Sequence, residues 1–263
     1  MLDRLLALVT EAGTAILRHY RDPALIVERK DDDSPLTQAD LEANAILLAG
    51  LSALGPIPVL SEERLVGAET RASWRQCWLV DPLDGTRDFL RGSGGFTVNV
   101  ALIEDHVPIL GVVHVPAQKI TYWARRGGGA FRDGTPICNR SRRTGAELIA
   151  AESNCHPDEA SRALLRRLGI DQVRPLGSAL KLCKLAEGEV DLYPRLAPTY
   201  EWDIAAAQVV AEEGGCAVLN LSTGSPLRYN KADLLNPPFL ALRHDLLEQS
   251  GFKDLFNPSI PKN

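Results

Sequence analysis

The sequence is poor in the features that define several large protein classes. Its five cysteines, Cys77, Cys138, Cys155, Cys183 and Cys216, are scattered, odd in number and never spaced C-x-x-C. That pattern excludes a disulfide framework or a cysteine zinc site as the organising feature and favours a reduced, cytoplasmic protein with mostly buried thiols. Basic residues are outnumbered, 29 Lys and Arg against 34 Asp and Glu, for a net charge of −5. A chain with no basic footprint is not a general binder of nucleic-acid polymers. No apolar stretch is long enough to span a bilayer; "AILLAGLSALG" is short and broken by glycine. The opening "MLDRLLALVTEAG" lacks the basic start, apolar block and cleavage site of a signal peptide. There is no internal repeat, coiled coil or low-complexity linker.

What remains is a soluble-globular composition, 45% hydrophobic and 24% charged, with length for one large domain or two lobes. Leu2, Leu5, Leu6, Val9, Ala12, Ile16 and Tyr20 recur at helical spacing and predict an amphipathic first helix. "ERKDDDSPLT" reads as a polar loop. A second helix is predicted from about Gln38 to Leu54, with Thr37 as N-cap and Gly55-Pro56 as its stop. "IPVL" and "QCWLV" fit short buried strands, and the stretch from Phe96 to Gly134 fits two strand pairs. From about residue 145 the pattern changes to a βαβ-like alternation. Helices are predicted over Asp158–Leu168, Ala179–Glu187 and Trp202–Glu213, between the strands "ELIAAES", "QVRPLG", "VDLYPR" and "CAVLN". The expected organisation is a mixed α+β lobe over 1–145 and an α/β lobe over 146–263.

The informative stretch is "WLVDPLDGTRDF", residues 78–89. An apolar strand delivers Asp81 and Asp84 three residues apart, where like charges repel and desolvating either is costly. Pro82 fixes the backbone, and Gly85 permits a tight turn with close ligand approach. The carboxylates and the Leu83 carbonyl point into one small volume. The N–H groups of Gly85 and Thr86 open a helix, a natural phosphate seat. Hard oxygen donors without clustered His or Cys indicate Mg²⁺ rather than zinc. Glu62 and Glu63 follow another apolar run in "VLSEE", Asp203 lies in the first turn of "EWDIAAAQVVAEE", and Asp40 stands in "LTQAD". Each has a plainer reading alone: a turn, a solvated acid, a dipole partner or a capping box. Their joint occurrence in this order is the evidence.

With "DPLDGTRDF" and "WDIAA" the sequence resembles the inositol monophosphatase superfamily of magnesium-dependent, lithium-sensitive phosphatases, from about Leu5 to Pro238. Within it, "DDSPLTQAD", "FTVNVALI", "GSALKLCKLAEGEVDLYPR" and "PTYEWDIAA" are most similar to bacterial 3′(2′),5′-bisphosphate nucleotidases of the CysQ type. Gly95 departs from the glutamate common there. The resemblance implies a layered α-β-α-β-α sugar-phosphatase-like fold, with the metal site between two lobes. It implies that Glu62, Asp81 and the Leu83 carbonyl hold one Mg²⁺, and that Asp81, Asp84 and Asp203 hold a second. A weaker third ion would sit near Glu62 and Glu63. Catalysis is expected from Thr86, hydrogen-bonded to Asp40, taking a proton from water activated at the metals, with Glu62 assisting.

Substrate contacts are expected from Gly85, Thr86, His156, Ser178, Lys181, Arg195 and Asp203, with Lys181 and Arg195 clamping the phosphate that is not cleaved. Ser178 reads as the start of a helix after Gly177, an anion-friendly geometry, and the plainer reading of Lys181 is a surface helix lysine. The implied reaction is hydrolysis of 3′-phosphoadenosine 5′-phosphate, and of its 5′-phosphosulfate, to AMP-type products. An inositol-1-phosphate or fructose-1,6-bisphosphate phosphatase and a non-catalytic phosphate sensor are the alternatives. A monomer or homodimer is expected. Peripheral contact with the inner membrane face is the alternative to a free cytoplasmic protein.

Overall fold

The computed structural model describes residues 1–22, 26–29, 35–139, 147–155 and 157–256. The expected lobe boundary near residue 145 and the candidate His156 lie outside them. The chain opens with helix α1 (Leu2–His19), a short hairpin β1 (Val27–Arg29) and β2 (Pro35–Thr37), and helix α2 (Gln38–Ser52). It continues through β3 (Val59–Ser61), α3 (Ala68–Arg71), β4 (Gln76–Asp84) and α4 (Thr86–Leu90). Strands β5 (Thr97–Glu104), β6 (Val107–Val115), β7 (Ile120–Arg125), β8 (Ala130–Arg132) and β9 (Thr135–Ile137) follow. The second half comprises β10 (Ile149–Ser153), α5 (Glu159–Arg167), β11 (Gln172–Leu176), α6 (Leu180–Ala186), β12 (Leu192–Arg195), α7 (Glu201–Glu213), β13 (Cys216–Asn220) and β14 (Phe239–Arg243).

Strands β3 to β9 form a seven-stranded sheet in sequence order, with only β3–β4 parallel. Both its faces are covered, which is why its strands read as near-continuous apolar runs. Trp78, Val80, Val98, Val100 and Val112 face Leu5, Val9, Ile16, Leu47 and Leu51 of α1 and α2. On the other face Leu79, Ala101, Ile103 and Val113 meet the helices α6 and α7. Behind those helices lies the five-stranded sheet, in the order β11-β10-β12-β14-β13. Its far side packs Ala150, Leu192, Leu240 and Leu242 against Leu165 of α5 and Ile170. The layers therefore run α-β-α-β-α, as the resemblance implied.

α7 lies unusually close to the first sheet. A Cβ on Gly111 of β6 would come 2.1 Å from the Ala206 carbonyl oxygen. Glycine there and the small residues Ala205, Ala206 and Ala207, all buried, let helix and sheet backbones approach. That approach carries Asp203, in the first turn of α7, to the end of β4.

The βαβ-like rhythm needs one correction. β10, β11 and β12 are parallel, but β14 inserts between β12 and β13 and runs antiparallel to both. The sheet is mixed because this strand, five buried residues after Pro237-Pro238, returns along it. The segment read as a polar loop pairs as β1–β2 on either side of residues 30–34, which lie outside the described set. Three of the five thiols are buried as expected, while Cys155 is half-buried and Cys138 exposed, and all five are free. Among the described residues no helix is long and apolar enough to cross a membrane.

Candidate active site

β4 and β5 stay in antiparallel register up to the pair Asp81–Asn99. The register then shifts before Asp84 pairs with Thr97. A bulge of this kind re-aims side chains, here turning Asp81 and Asp84 toward one cleft. Gly85 follows at φ +88° and caps the five-residue α4, so the chain reverses immediately after the second aspartate. The cleft has a volume of about 470 Å³. Glu62, Asp81, Leu83, Asp84, Gly85, Thr86, Ser178, Lys181, Arg195 and Asp203 all line it. Asp40 lies behind Thr86.

The acidic wall is electrostatically frustrated. Asp81 is buried, and burial holds its carboxyl well above the usual range, with Glu62, Asp84 and Asp203 pushing the same way. Its oxygen Oδ1 accepts from the Leu83 N–H at 3.0 Å. Glu62 stands close enough to Asp81 to be the largest of those three charges acting on it. Asp203 is raised by burial, then by Asp84 and Glu62, and its Oδ2 accepts from the Tyr200 N–H at 2.8 Å. Asp84 is raised by burial but opposed by Lys181 and by two donors. Its Oδ2 accepts from the Ala179 N–H at 2.7 Å and from Asn99 Nδ2 at 3.1 Å. Asp84 and Asp203 are half-buried at the edge of the cleft.

This set fits a hard divalent cation by its donor chemistry: buried carboxylates and a carbonyl, crowded together, with no His or Cys among them. Among the described residues no group of three or more His, Cys, Asp or Glu is already assembled as a metal cage.

Thr86 Oγ1 donates toward Asp40 Oδ1 at 3.5 Å and toward the Leu83 carbonyl at 3.3 Å. Asp40 is pushed up to about 7 by burial, opposed by the Thr37 hydroxyl and N–H, which donate to its Oδ2 at 2.6 and 2.8 Å. The capping box read from "LTQAD" therefore exists, and it orients the same carboxylate that faces Thr86.

The opposite wall is cationic. Lys181 reads from its sequence position alone as a surface helix residue, yet it is buried. Its Nζ donates to the Ser178 carbonyl at 2.7 Å and lies 5.4 Å from the centre of the Tyr193 ring. Burial lowers it to about 8, with Asp84 opposing. Arg195 reaches the Pro198 carbonyl through Nη2 at 3.2 Å, but its buried Nε has no hydrogen-bond partner. A buried donor left unpaired costs free energy in the empty protein and is available to an anion.

Ser178 does not begin a helix, since α6 starts at Leu180. It sits at φ +44°, and its hydroxyl donates to the Gly95 carbonyl at 2.9 Å. The 177–179 turn thereby joins the second sheet to the loop after α4. A Cβ on Gly177 would fall 2.3 Å from the Gly95 oxygen. Sequence reasoning missed Asn99, Ala179 and Asp88. Asp88 is buried and accepts from Ser93 Oγ at 2.7 Å and Asn154 Nδ2 at 2.9 Å, bracing the turn. A single Asn in "TVNVALI" was the only available signal for the first. The second acts through its backbone.

The profile of the inositol monophosphatase family matches residues 1–252. The chain belongs to the inositol monophosphatase family. Members of this family are generally metal-dependent, typically on Mg²⁺. The 3′(2′),5′-bisphosphate nucleotidase CysQ of Salmonella typhimurium is 42% identical over 244 residues, covering 91% of this chain and 98% of that protein. Its namesake in Escherichia coli strain K12 is 41% identical over 243 residues, with the same coverage. Among solved structures, CysQ from Bacteroides thetaiotaomicron superposes with a TM-score of 0.82 at 36% identity, covering 91% of this chain and 96% of that one.

Proposed function

We propose that this family member is a Mg²⁺-dependent 3′(2′),5′-bisphosphate nucleotidase that hydrolyses 3′-phosphoadenosine 5′-phosphate to AMP and phosphate. The observation that carries the reading is the two-sided cleft. An acidic wall faces buried Lys181 and Arg195, whose Nε is an unpaired buried donor. A substrate with two phosphates would meet Lys181 and Arg195 with one and cations held by the acidic wall with the other, and the curated relatives bear this activity in their names.

Glu62, Asp81, the Leu83 carbonyl, Asp84 and Asp203 would hold two Mg²⁺, with Glu62 and Glu63 nearest a third. When bound, the ions supply charge neutralisation of the phosphate and acidify water. The protein's own part is positional. The N–H groups at Gly85 and Thr86 seat the scissile phosphate. As the water oxygen attacks phosphorus, Thr86 Oγ1 takes its proton and passes its own to Asp40 Oδ1. The bond from phosphorus to the ribose 3′-oxygen breaks, and that oxygen collects a proton from solvent. Arg195 and Lys181 hold the remote phosphate, so its binding energy serves orientation. An Asp40 that ionises near 7 suits a base at neutral pH.

Phosphate release in Mg²⁺ from 3′-phosphoadenosine 5′-phosphate, inositol-1-phosphate and fructose-1,6-bisphosphate tests this. A kcat/KM at least tenfold higher on the nucleotide is expected. A preference for either sugar phosphate overturns the substrate assignment. Release from none of them overturns the enzyme reading.

A further inference from the structure

We infer that Tyr200 is the platform on which the nucleobase of the substrate stacks, a specificity-determining contact outside the phosphate and metal groups. The inference rests on the nucleotidase reading and extends it from the two phosphates to the base. Tyr200 is one of the few large apolar-bodied side chains left exposed, at 38%. It lines the same cleft as Arg195, Thr86 and Asp203. Its ring lies nearly parallel to that of Trp202, centroids 4.8 Å apart and planes 12° from each other. Trp202 is buried, so one face of the tyrosine is backed by an immobile indole and the rest of the ring remains accessible. An aromatic ring prestacked in this way offers a flat surface at little conformational cost.

The backbone beneath the ring is pinned by bonds that do not involve its side chain. The Tyr200 N–H donates to Asp203, and the Tyr200 carbonyl accepts from Asn236 Nδ2 at 2.7 Å. Tyr200 also bridges to Leu235. The platform is therefore held one helical turn from the Asp203 carboxylate. On its other side the chain leads back through Thr199 and Pro198 to the guanidinium of Arg195, which bonds the Pro198 carbonyl. A ligand with its remote phosphate at Arg195 and its scissile phosphate at the acidic wall has its sugar between them. Its third substituent points to the rim, where Tyr200 stands. A flat, uncharged heterocycle is the substituent that such a surface recognises, and it does so with little dependence on base identity.

Because the pinning bonds are all backbone bonds, Tyr200→Ala removes the ring and leaves Asp203 in place. The experiment measures Mg²⁺-dependent kinetics of the parent, Tyr200→Ala and Tyr200→Phe on 3′-phosphoadenosine 5′-phosphate. The same measurements are made on the abasic analogue, methyl riboside 3,5-bisphosphate. Tyr200→Ala should raise KM for the nucleotide about 5- to 150-fold with kcat nearly unchanged, the range of one lost base stack. Tyr200→Phe should match the parent. The abasic analogue should be weaker than the nucleotide on the parent by that same factor, and Tyr200→Ala should not weaken it further. AMP binding followed by calorimetry should lose the same factor in the alanine variant.

Equal losses on nucleotide and abasic analogue would make Tyr200 a scaffold residue and overturn the inference. An unchanged nucleotide KM would overturn it as well. A parent that releases no phosphate from the nucleotide would instead remove the nucleotidase reading on which the inference stands.

Discussion

Replacing Asp81 by Asn should make the metal-free protein more stable while abolishing turnover. Burial, Glu62, Asp84 and Asp203 all oppose the Asp81 charge, with the Leu83 N–H the donor that favours it. Two like charges about 5 Å apart at an effective dielectric near 20 repel by about 3 kcal/mol, so three such neighbours would cost more than the fold can carry. The raised Asp81 carboxyl takes up a proton more readily, which limits that cost. The gain from removing the charge is then about 1 to 3 kcal/mol. An amide keeps the local bond, since its oxygen still accepts from the Leu83 N–H. At about 2 to 4 °C per kcal/mol for a chain this long, Tm in EDTA should rise by roughly 2 to 12 °C. Adding Mg²⁺ should raise the parent's Tm and barely move the variant's. Asp84→Asn should gain less, because Lys181, Ala179 and Asn99 favour the Asp84 charge. Thermal melts of the three proteins with and without Mg²⁺ decide the matter. A metal-free Asp81→Asn variant that melts below the parent would refute the electrostatic reasoning. A variant that Mg²⁺ stabilises as much as the parent would refute the ligand assignment.

Thr86→Ala should retain Mg²⁺-dependent stabilisation and AMP binding but lower kcat by roughly 10²- to 10⁴-fold; a raised KM alone would make Thr86 a phosphate seat. Arg195→Ala should cut kcat/KM for 3′-phosphoadenosine 5′-phosphate by roughly 10- to 150-fold more than for inositol-1-phosphate, which has no second phosphate to lose. Equal losses would return Arg195 to the scaffold. Asp40 is protonated in the folded state up to about pH 7 but ionises near 3.8 when unfolded. Its contribution to stability is therefore complete below pH 3.8 and is lost as pH rises through 7. Urea melts of the metal-free parent should lose about 3 to 4 kcal/mol relative to Asp40→Asn between pH 4 and 8, at the upper limit. A constant difference across that range would show that Asp40 is ionised throughout.

The acids of the site were legible because they are concentrated in short segments whose spacing is fixed by strand and helix geometry. "DPLDGT" is contiguous, and Asp203 follows from the first turn of a helix that small residues allow to dock. What was not legible depends on contacts between distant segments. The Ala179 N–H on Asp84 carries no side-chain signal, and Lys181 is buried only because β12 and α7 close over it. Ser178 read as the start of a helix after Gly177, but the approach of Gly177 to Gly95 holds the chain in a left-handed turn for one residue more. The buried strands were legible as apolar runs and the layering followed from the family resemblance, whereas the position of β14 was not legible. Nothing in "FLALR" says which two strands it will separate.

That position sets the timing of assembly during synthesis. Glu62, Asp81 and Asp84 leave the ribosome early and Asp203 much later, yet the sheet behind Asp203 still lacks a member at that point. Among the described residues β13 hydrogen-bonds to no strand but β14, and β14 follows every other described strand in the chain. Until residue 243 has emerged, β13 has no edge to join, and β12 presents an open edge beside the helix that carries Asp203. A nascent chain thus carries every acid of the site for some 40 residues of elongation before the wall behind them can close. During that interval it exposes an unpaired strand edge, the kind of surface on which chaperones and misassembly compete.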